Sequence, residues 1–205
     1  MKKLLLIGLF ASTAALAEER IEICYNYSCA RTATVVYSDE QLERVRQWML
    51  YAPDAATERR ILRGVMGKLY GWAGQQAPIS ADRGGNHADD DADGRMDCID
   101  HTVSTTRLLK MLQAQGWLRF HRVADLVERK GAYGLLQHFS ASIEERPGRL
   151  EEWQLSTRLL SAPQEADNEL RGPRFVVDSW FHDNGQPAEV LPLEEWLEGG
   201  GGPNV

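Results

Sequence analysis

Beyond a short leader-like segment, this 205-residue chain has no run of apolar residues approaching the ~20 that a membrane-spanning helix needs. Even the apolar stretch Leu4 to Phe10 stops well short of that length. Basic residues are scarce too, 23 Lys and Arg against 30 Asp and Glu, for a net charge of −7. An acidic chain of this kind is a poor partner for nucleic acid or for an anionic membrane surface. Nothing repeats at a fixed period. Cysteine is rare, with only three in the chain, and the odd number leaves one without an internal partner.

The first residues are organised in three zones. Lys2 and Lys3 give a positive start, Leu4 to Phe10 an apolar centre, and Ala15-Leu16-Ala17 a small-x-small site. That order predicts a signal peptide over 1–17, with the mature chain starting at Glu18 in the periplasm or outside the cell. Cys24 lies too far downstream to be a lipoprotein cysteine. Losing Lys2 and Lys3 takes the charge from −7 to −9. The remainder suits one domain, expected over 18–198, with Gly199 opening a flexible tail over 199–205. In an oxidising compartment Cys24 and Cys29, separated by four residues, are expected to form a local disulfide. Cys98 is left over, either as an intermolecular bridge or as a reactive thiol.

Periodicity places the elements. Residues 18–37 read as extended, with Thr32 to Tyr37 rich in β-branched residues. Ser38 caps a helix carrying Leu42, Val45, Trp48 and Met49, with Gln41 completing a capping box. Asp54 caps a second, carrying Ile61, Val65, Leu69 and Trp72. A polar loop over 77–97 leads to a third helix, starting near Cys98, striped by Ile99, Val103, Leu108, Leu109 and Leu112, and stopped by Gly116. Strands are expected at 117–123, 135–143 and 174–181, with an acidic insertion over 144–173 and a short closing helix over 191–197. Helices first and strands after predict an α+β fold, with the N-terminal helices packed on an antiparallel sheet.

Cys98 stands where a glycine-rich loop turns into a helix. A helix N-terminus favours thiolate and aims amide protons at an oxyanion. Asp97 and Asp100 oppose this, because two carboxylates beside a thiol raise its pKa unless their charge is offset. A thiol nucleophile needs a base, and the base an orienting group. Alternation puts His138 on a strand face with Leu136, Ser140 and Ser142. Asp178, in Phe175-Val176-Val177-Asp178-Ser179-Trp180, is an acid in an apolar strand and needs a partner there.

A Cys at a helix start, a His on a strand and an Asp on the next strand resemble the transglutaminase-like branch of the papain-like fold, over roughly residues 60–185. Asp97-Cys98-Ile99-Asp100 is similar to the Asp-Cys-x-Asp stretch of bacterial transglutaminase-like cysteine proteinases. The resemblance implies Cys98 as nucleophile, His138 as base, Asp178 as orienter, and amide bonds of a protein or peptide as substrate. Gln75, Gln76 and Asn86 are the candidate oxyanion side chains.

His87, His101, His121 and His182 are rival bases, with His121 expected in a solvated strand. Asp89, Asp91, Asp93 and Gly94 also fit positions one, three, five and six of a calcium loop, with Asp100 at position twelve, so calcium is a candidate ligand. Against the enzyme stand two other expectations: a catalytically inactive periplasmic scaffold with the same fold, and a dimer bridged through Cys98.

Overall fold

A β-hairpin opens the described chain, which in this computed structural model comprises residues 18–86, 91–130, 137–148 and 172–202. The leader over 1–17, His87, Asp89, Leu136 and most of the expected insertion lie outside these residues. β1 (Glu19–Tyr25) pairs antiparallel with β2 (Arg31–Tyr37), from Glu19 opposite Tyr37 to Tyr25 opposite Arg31. Alternation along β2 buries Val35 and Tyr37.

The turn between these strands is left-handed at four consecutive positions: φ is 64° at Asn26, 62° at Tyr27, 53° at Ser28 and 54° at Cys29. Such a backbone costs an L-residue roughly 1–2 kcal/mol, so it persists only where surrounding bonds over-determine it. One of those bonds is the Cys24–Cys29 disulfide, the pairing the sequence predicts.

Two helices follow where their caps place them. α1 (Asp39–Leu50) starts from a complete Ser38–Gln41 capping box and buries Leu42, Val45 and Met49, while Trp48 sits on the rim, 39% exposed. α2 (Ala55–Gly74) starts at Asp54, whose carboxylate accepts the Thr57 amide at 2.7 Å, and buries Leu62, Val65, Met66 and Leu69. α3 (Cys98–Ala114) begins at Cys98 and ends before Gly116, whose φ of +71° suits a glycine. Its expected apolar stripe starts only at Leu108. Ile99 and Val103 are half-buried, and the first turns instead bury Asp100, His101, Thr102, Ser104 and Thr105.

The second sheet is antiparallel throughout, in the order β3-β4-β5-β6. β3 (His121–Lys130), β4 (Gln137–Glu145), β5 (Arg174–Asp178) and β6 (Glu189–Pro192) form it. Several boundaries differ from the sequence expectation, among them that of β5, which ends at Asp178 rather than Phe181. The strand expected from Trp117 starts at His121, because Trp117 and Leu118 are core residues of the link from α3. Glu144 and Glu145, read as insertion, finish β4 opposite Arg122 and His121. The closing helix α4 (Leu193–Leu197) is preceded by β6 over part of its expected span. Gly201 and Gly202, expected in the tail, lie close against the Phe181 ring.

Residues of α1, α2 and α3 share the main core with one face of this sheet, through Ala141, Ile143 and Val177. The other face carries a smaller cluster of Val127, Val176, Trp180, Phe181 and Trp196. The architecture is thus α+β, with helices packed on an antiparallel sheet. No helix among the described residues is long and apolar enough to cross a membrane.

Candidate active site

Cys98 is the first residue of α3, held there by a reciprocal cap. The Asp97 carboxylate accepts the Asp100 amide at 2.8 Å, and the Asp100 carboxylate accepts the Asp97 amide at 3.2 Å. The left-handed turn then supplies further donors to the same two carboxylates. Asp100 Oδ2 accepts Tyr27 N–H at 2.8 Å and Oδ1 accepts Cys29 N–H at 2.6 Å, while Asp97 Oδ2 accepts Ser28 N–H at 2.9 Å. Backbone amides therefore supply part of the compensation that the two carboxylates beside Cys98 need. Burial nonetheless pushes the Asp100 carboxyl up to about 6, with the Asp97 charge adding to it and the amides of Cys29, Asp97 and Tyr27 opposing.

The Cys98 side chain is half-buried and free of any disulfide. It packs against the aromatic cluster of the second sheet face. Burial pushes its thiol above the usual range, and the Asp97 and Asp178 charges add to this. The Phe139 amide, hydrogen-bonding to the sulfur, works in the other direction. The thiolate favoured by the helix end is thus opposed by burial.

His138 is the residue before Phe139. Together with Ser140 and Ser142 it is buried on one face of β4, as alternation predicts. One step beyond the Ala141–Val177 pair, Asp178 faces Ser140 and lies diagonal to His138 on that face. His138 Nε2 and Asp178 Oδ2 are 2.7 Å apart. Asp178 also accepts the Trp180 amide through Oδ1 at 3.1 Å and Trp196 Nε1–H through Oδ2 at 2.9 Å. The rings of Trp180, Phe181 and Trp196 lie 4.8, 5.2 and 5.5 Å from the imidazole. The other ring nitrogen, Nδ1, is buried without a hydrogen-bond partner. The structure thus bonds His138 to Asp178 and packs Cys98 against the cluster of Val127, Val176, Trp180, Phe181 and Trp196, whose three aromatic rings surround the imidazole.

The described rival histidines are engaged elsewhere. His121, expected in a solvated strand, is fully buried: its Nδ1 meets Glu58 Oε1 at 2.7 Å and its Nε2 meets Arg59 Nη1 at 3.0 Å. The outward spacing of Arg119 and Arg122 in sequence concealed the buried glutamate that receives it. His182 Nε2 meets Glu189 at 2.8 Å. His101 is buried between Asp82, 3.0 Å from Nε2, and Ser179 Oγ, 2.8 Å from Nδ1. Asp82 Oδ1 in turn accepts the Met96 amide, and Thr105 ties Ser179 to Tyr70. This network joins the first turn of α3 to the residue after Asp178, so it braces two of the three candidate groups against each other. Neither Trp196 nor Asp82 was singled out from the sequence. The need of a buried Asp178 for more than one donor was the signal available for Trp196.

Gln76 is committed to β2, accepting Val36 N–H and donating to Val36 O, while Gln75 caps the end of α2. Gly84 lies against the backbone of Phe181 and His182, where an added Cβ would meet the Phe181 carbonyl oxygen at 2.4 Å. This close approach seats the loop at Gly84 beside the residues that follow the strand bearing Asp178. In the Asp-rich loop, Asp93 Oδ1 accepts Asn26 Nδ2 at 2.9 Å and Gly94 donates to Asn26 Oδ1 at 2.8 Å. Both oxygens of Asp100, at the loop's twelfth position, are taken by the amides described above.

No family model, curated protein or solved structure matches this chain.

Proposed function

We propose that this protein is an exported cysteine hydrolase or acyltransferase of the transglutaminase-like type, acting on amide bonds of a protein or peptide. The observation that carries this reading is the state of His138. One ring nitrogen is held by the buried Asp178 while the other is buried with no partner, on the strand whose next amide faces the Cys98 sulfur. A merely structural histidine would have both nitrogens satisfied, as His101 and His121 do.

In this mechanism His138 Nδ1 takes the thiol proton as Cys98 Sγ attacks the amide carbonyl. Asp178 holds the ring and stabilises the imidazolium that forms. The Cys98 and Ile99 amides at the start of α3 stabilise the oxyanion. His138 then protonates the leaving amine, and water or a second amine releases the acyl group from sulfur. The disulfide and the leader-like N-terminus support an exported location. An alkyne-tagged thiol-reactive probe applied to intact cells tests the reading. Capture at Cys98 that is lost in His138→Ala supports it, and equal capture in both contradicts it.

The second reading, a silent scaffold with the same fold, is favoured by one observation: burial and two carboxylates push the Cys98 thiol up. It expects Cys98 to react no faster than an ordinary free thiol.

A further inference from the structure

The strained turn over Asn26–Cys29 is unused by the mechanism, yet three of its four amides bond to the carboxylates that flank Cys98. Asn26 N–H donates to Arg95 O at 2.7 Å, Tyr27 and Cys29 N–H to Asp100, and Ser28 N–H to Asp97. Consecutive left-handed residues turn their N–H groups to one side and so build an anion-binding concavity. Here the anions are the two carboxylates that flank Cys98. Four left-handed non-glycine residues in succession do not hold such a shape unaided. The disulfide closes it, and the carboxylates fill it.

The two cysteines of that disulfide are unequally exposed. Cys24 is fully buried, whereas Cys29 is partly exposed. Arg107 Nη1 lies 3.5 Å from Cys24 Sγ. A cation at that distance stabilises a thiolate leaving from Cys24, and thiol–disulfide exchange is faster when the leaving thiol is the better anion. Partial exposure of Cys29 and leaving-group stabilisation at Cys24 Sγ therefore favour one direction of attack.

We propose that Cys24–Cys29 is an exchange site for a dithiol reductant, attacked at Cys29, and that opening it switches Cys98 off by withdrawing the amides of Tyr27, Ser28 and Cys29 from Asp97 and Asp100. In the first step the reductant's thiolate bonds to Cys29 Sγ and the Cys24–Cys29 bond breaks, leaving a Cys24 thiolate beside Arg107. In the second, the reductant's other sulfur attacks its own sulfur in the mixed disulfide and releases Cys29. The chain gains two electrons and two protons, and the dithiol becomes a cyclic or intramolecular disulfide. Once the turn relaxes, the carboxylates beside Cys98 lose three donors, and their uncompensated charge disfavours thiolate. The switching part rests on the reading of Cys98 as a nucleophile; the exchange site does not.

The test uses the purified protein in oxidised form and after treatment with dithiothreitol, with iodoacetamide labelling followed for each cysteine by peptide mass spectrometry. Reduction is expected to slow Cys98 labelling at pH 7 about tenfold, the change in thiolate that one pKa unit produces. Arg107→Gln is expected to slow reduction of the disulfide about threefold or more. Amide hydrogen exchange on the reduced wild type follows residues 26–29 and 97–101 directly, so a Cys24→Ser/Cys29→Ser chain that does not fold leaves the measurement intact. Unchanged Cys98 labelling together with unchanged exchange at those amides overturns the proposal. If oxidised wild type and His138→Ala label alike, the nucleophile reading fails, while faster amide exchange on reduction still supports the turn's redox opening.

Discussion

Trp196 and His138 bond to the same atom. Trp196 Nε1–H donates to Asp178 Oδ2 at 2.9 Å, and His138 Nε2 lies 2.7 Å from that oxygen. The C-terminal helix α4 thereby fixes the carboxylate that orients the candidate base. Arg129 anchors this helix from the far side, donating to Trp196 O at 2.7 Å and Gly200 O at 3.0 Å with its guanidinium 4.7 Å from the indole.

Trp196→Phe keeps an aromatic ring in the cluster but removes the donor. Loss of one hydrogen bond to a charged acceptor is expected to cost about 1.5–3 kcal/mol of stability. A positioning role further predicts that Cys98 labelling slows at a temperature where the variant remains folded. Thermal unfolding monitored alongside labelling separates the two effects, and an unchanged labelling rate would reduce Trp196 to a packing residue.

His101→Ala removes the centre of the brace between α3 and β5. Asp82 and Ser179 would be left buried without that partner, at an expected cost of about 2–4 kcal/mol. Denaturant unfolding checks it. A midpoint within error of wild type would show that the network contributes nothing to holding α3 against β5.

Asp100 sets a pH dependence. Its folded pKa lies near 6, above the ordinary carboxylate value of 3.8, because burial disfavours its charge. The folded state therefore binds this proton more tightly than the unfolded chain. The stability it contributes is fully present below the unfolded value and is lost as pH rises through the folded one. On lowering the pH from 7 to 4, wild type should gain on the order of 2 kcal/mol relative to Asp100→Asn. Paired denaturation curves at the two pH values measure this, and a relative loss for wild type would contradict the burial argument.

Much of this arrangement was legible in the sequence because it rests on local rules. Ser38 and Asp54 cap helices with side chains that accept from amides three residues on, and Gly116 stops α3 through a positive φ; both are short-range signals. The alternation that put His138 with Ser140 and Ser142 is equally local. What was hidden depends on contacts between distant segments. The first turns of α3 look apolar at Ile99 and Val103, but Asp82 and Ser179, 19 and 78 residues from His101, recruit its polar face inward. His121 looked exposed beside two arginines until Glu58, 63 residues away, took its ring. β3 carries a register shift between Ala124 and Val127 and is dense in charge, so period-2 patterning failed there.

The measurement that bears most directly on the account is the rate of Cys98 alkylation as a function of pH in wild type and His138→Ala. Burial raises the thiol, so without its base Cys98 should react more slowly at pH 7 than a free cysteine and gain steadily above pH 9. Wild type should react faster at pH 7, at least tenfold on the usual scale of a positioned base. If both chains instead follow one curve, His138 does not accept the Cys98 proton, and the catalytic reading falls.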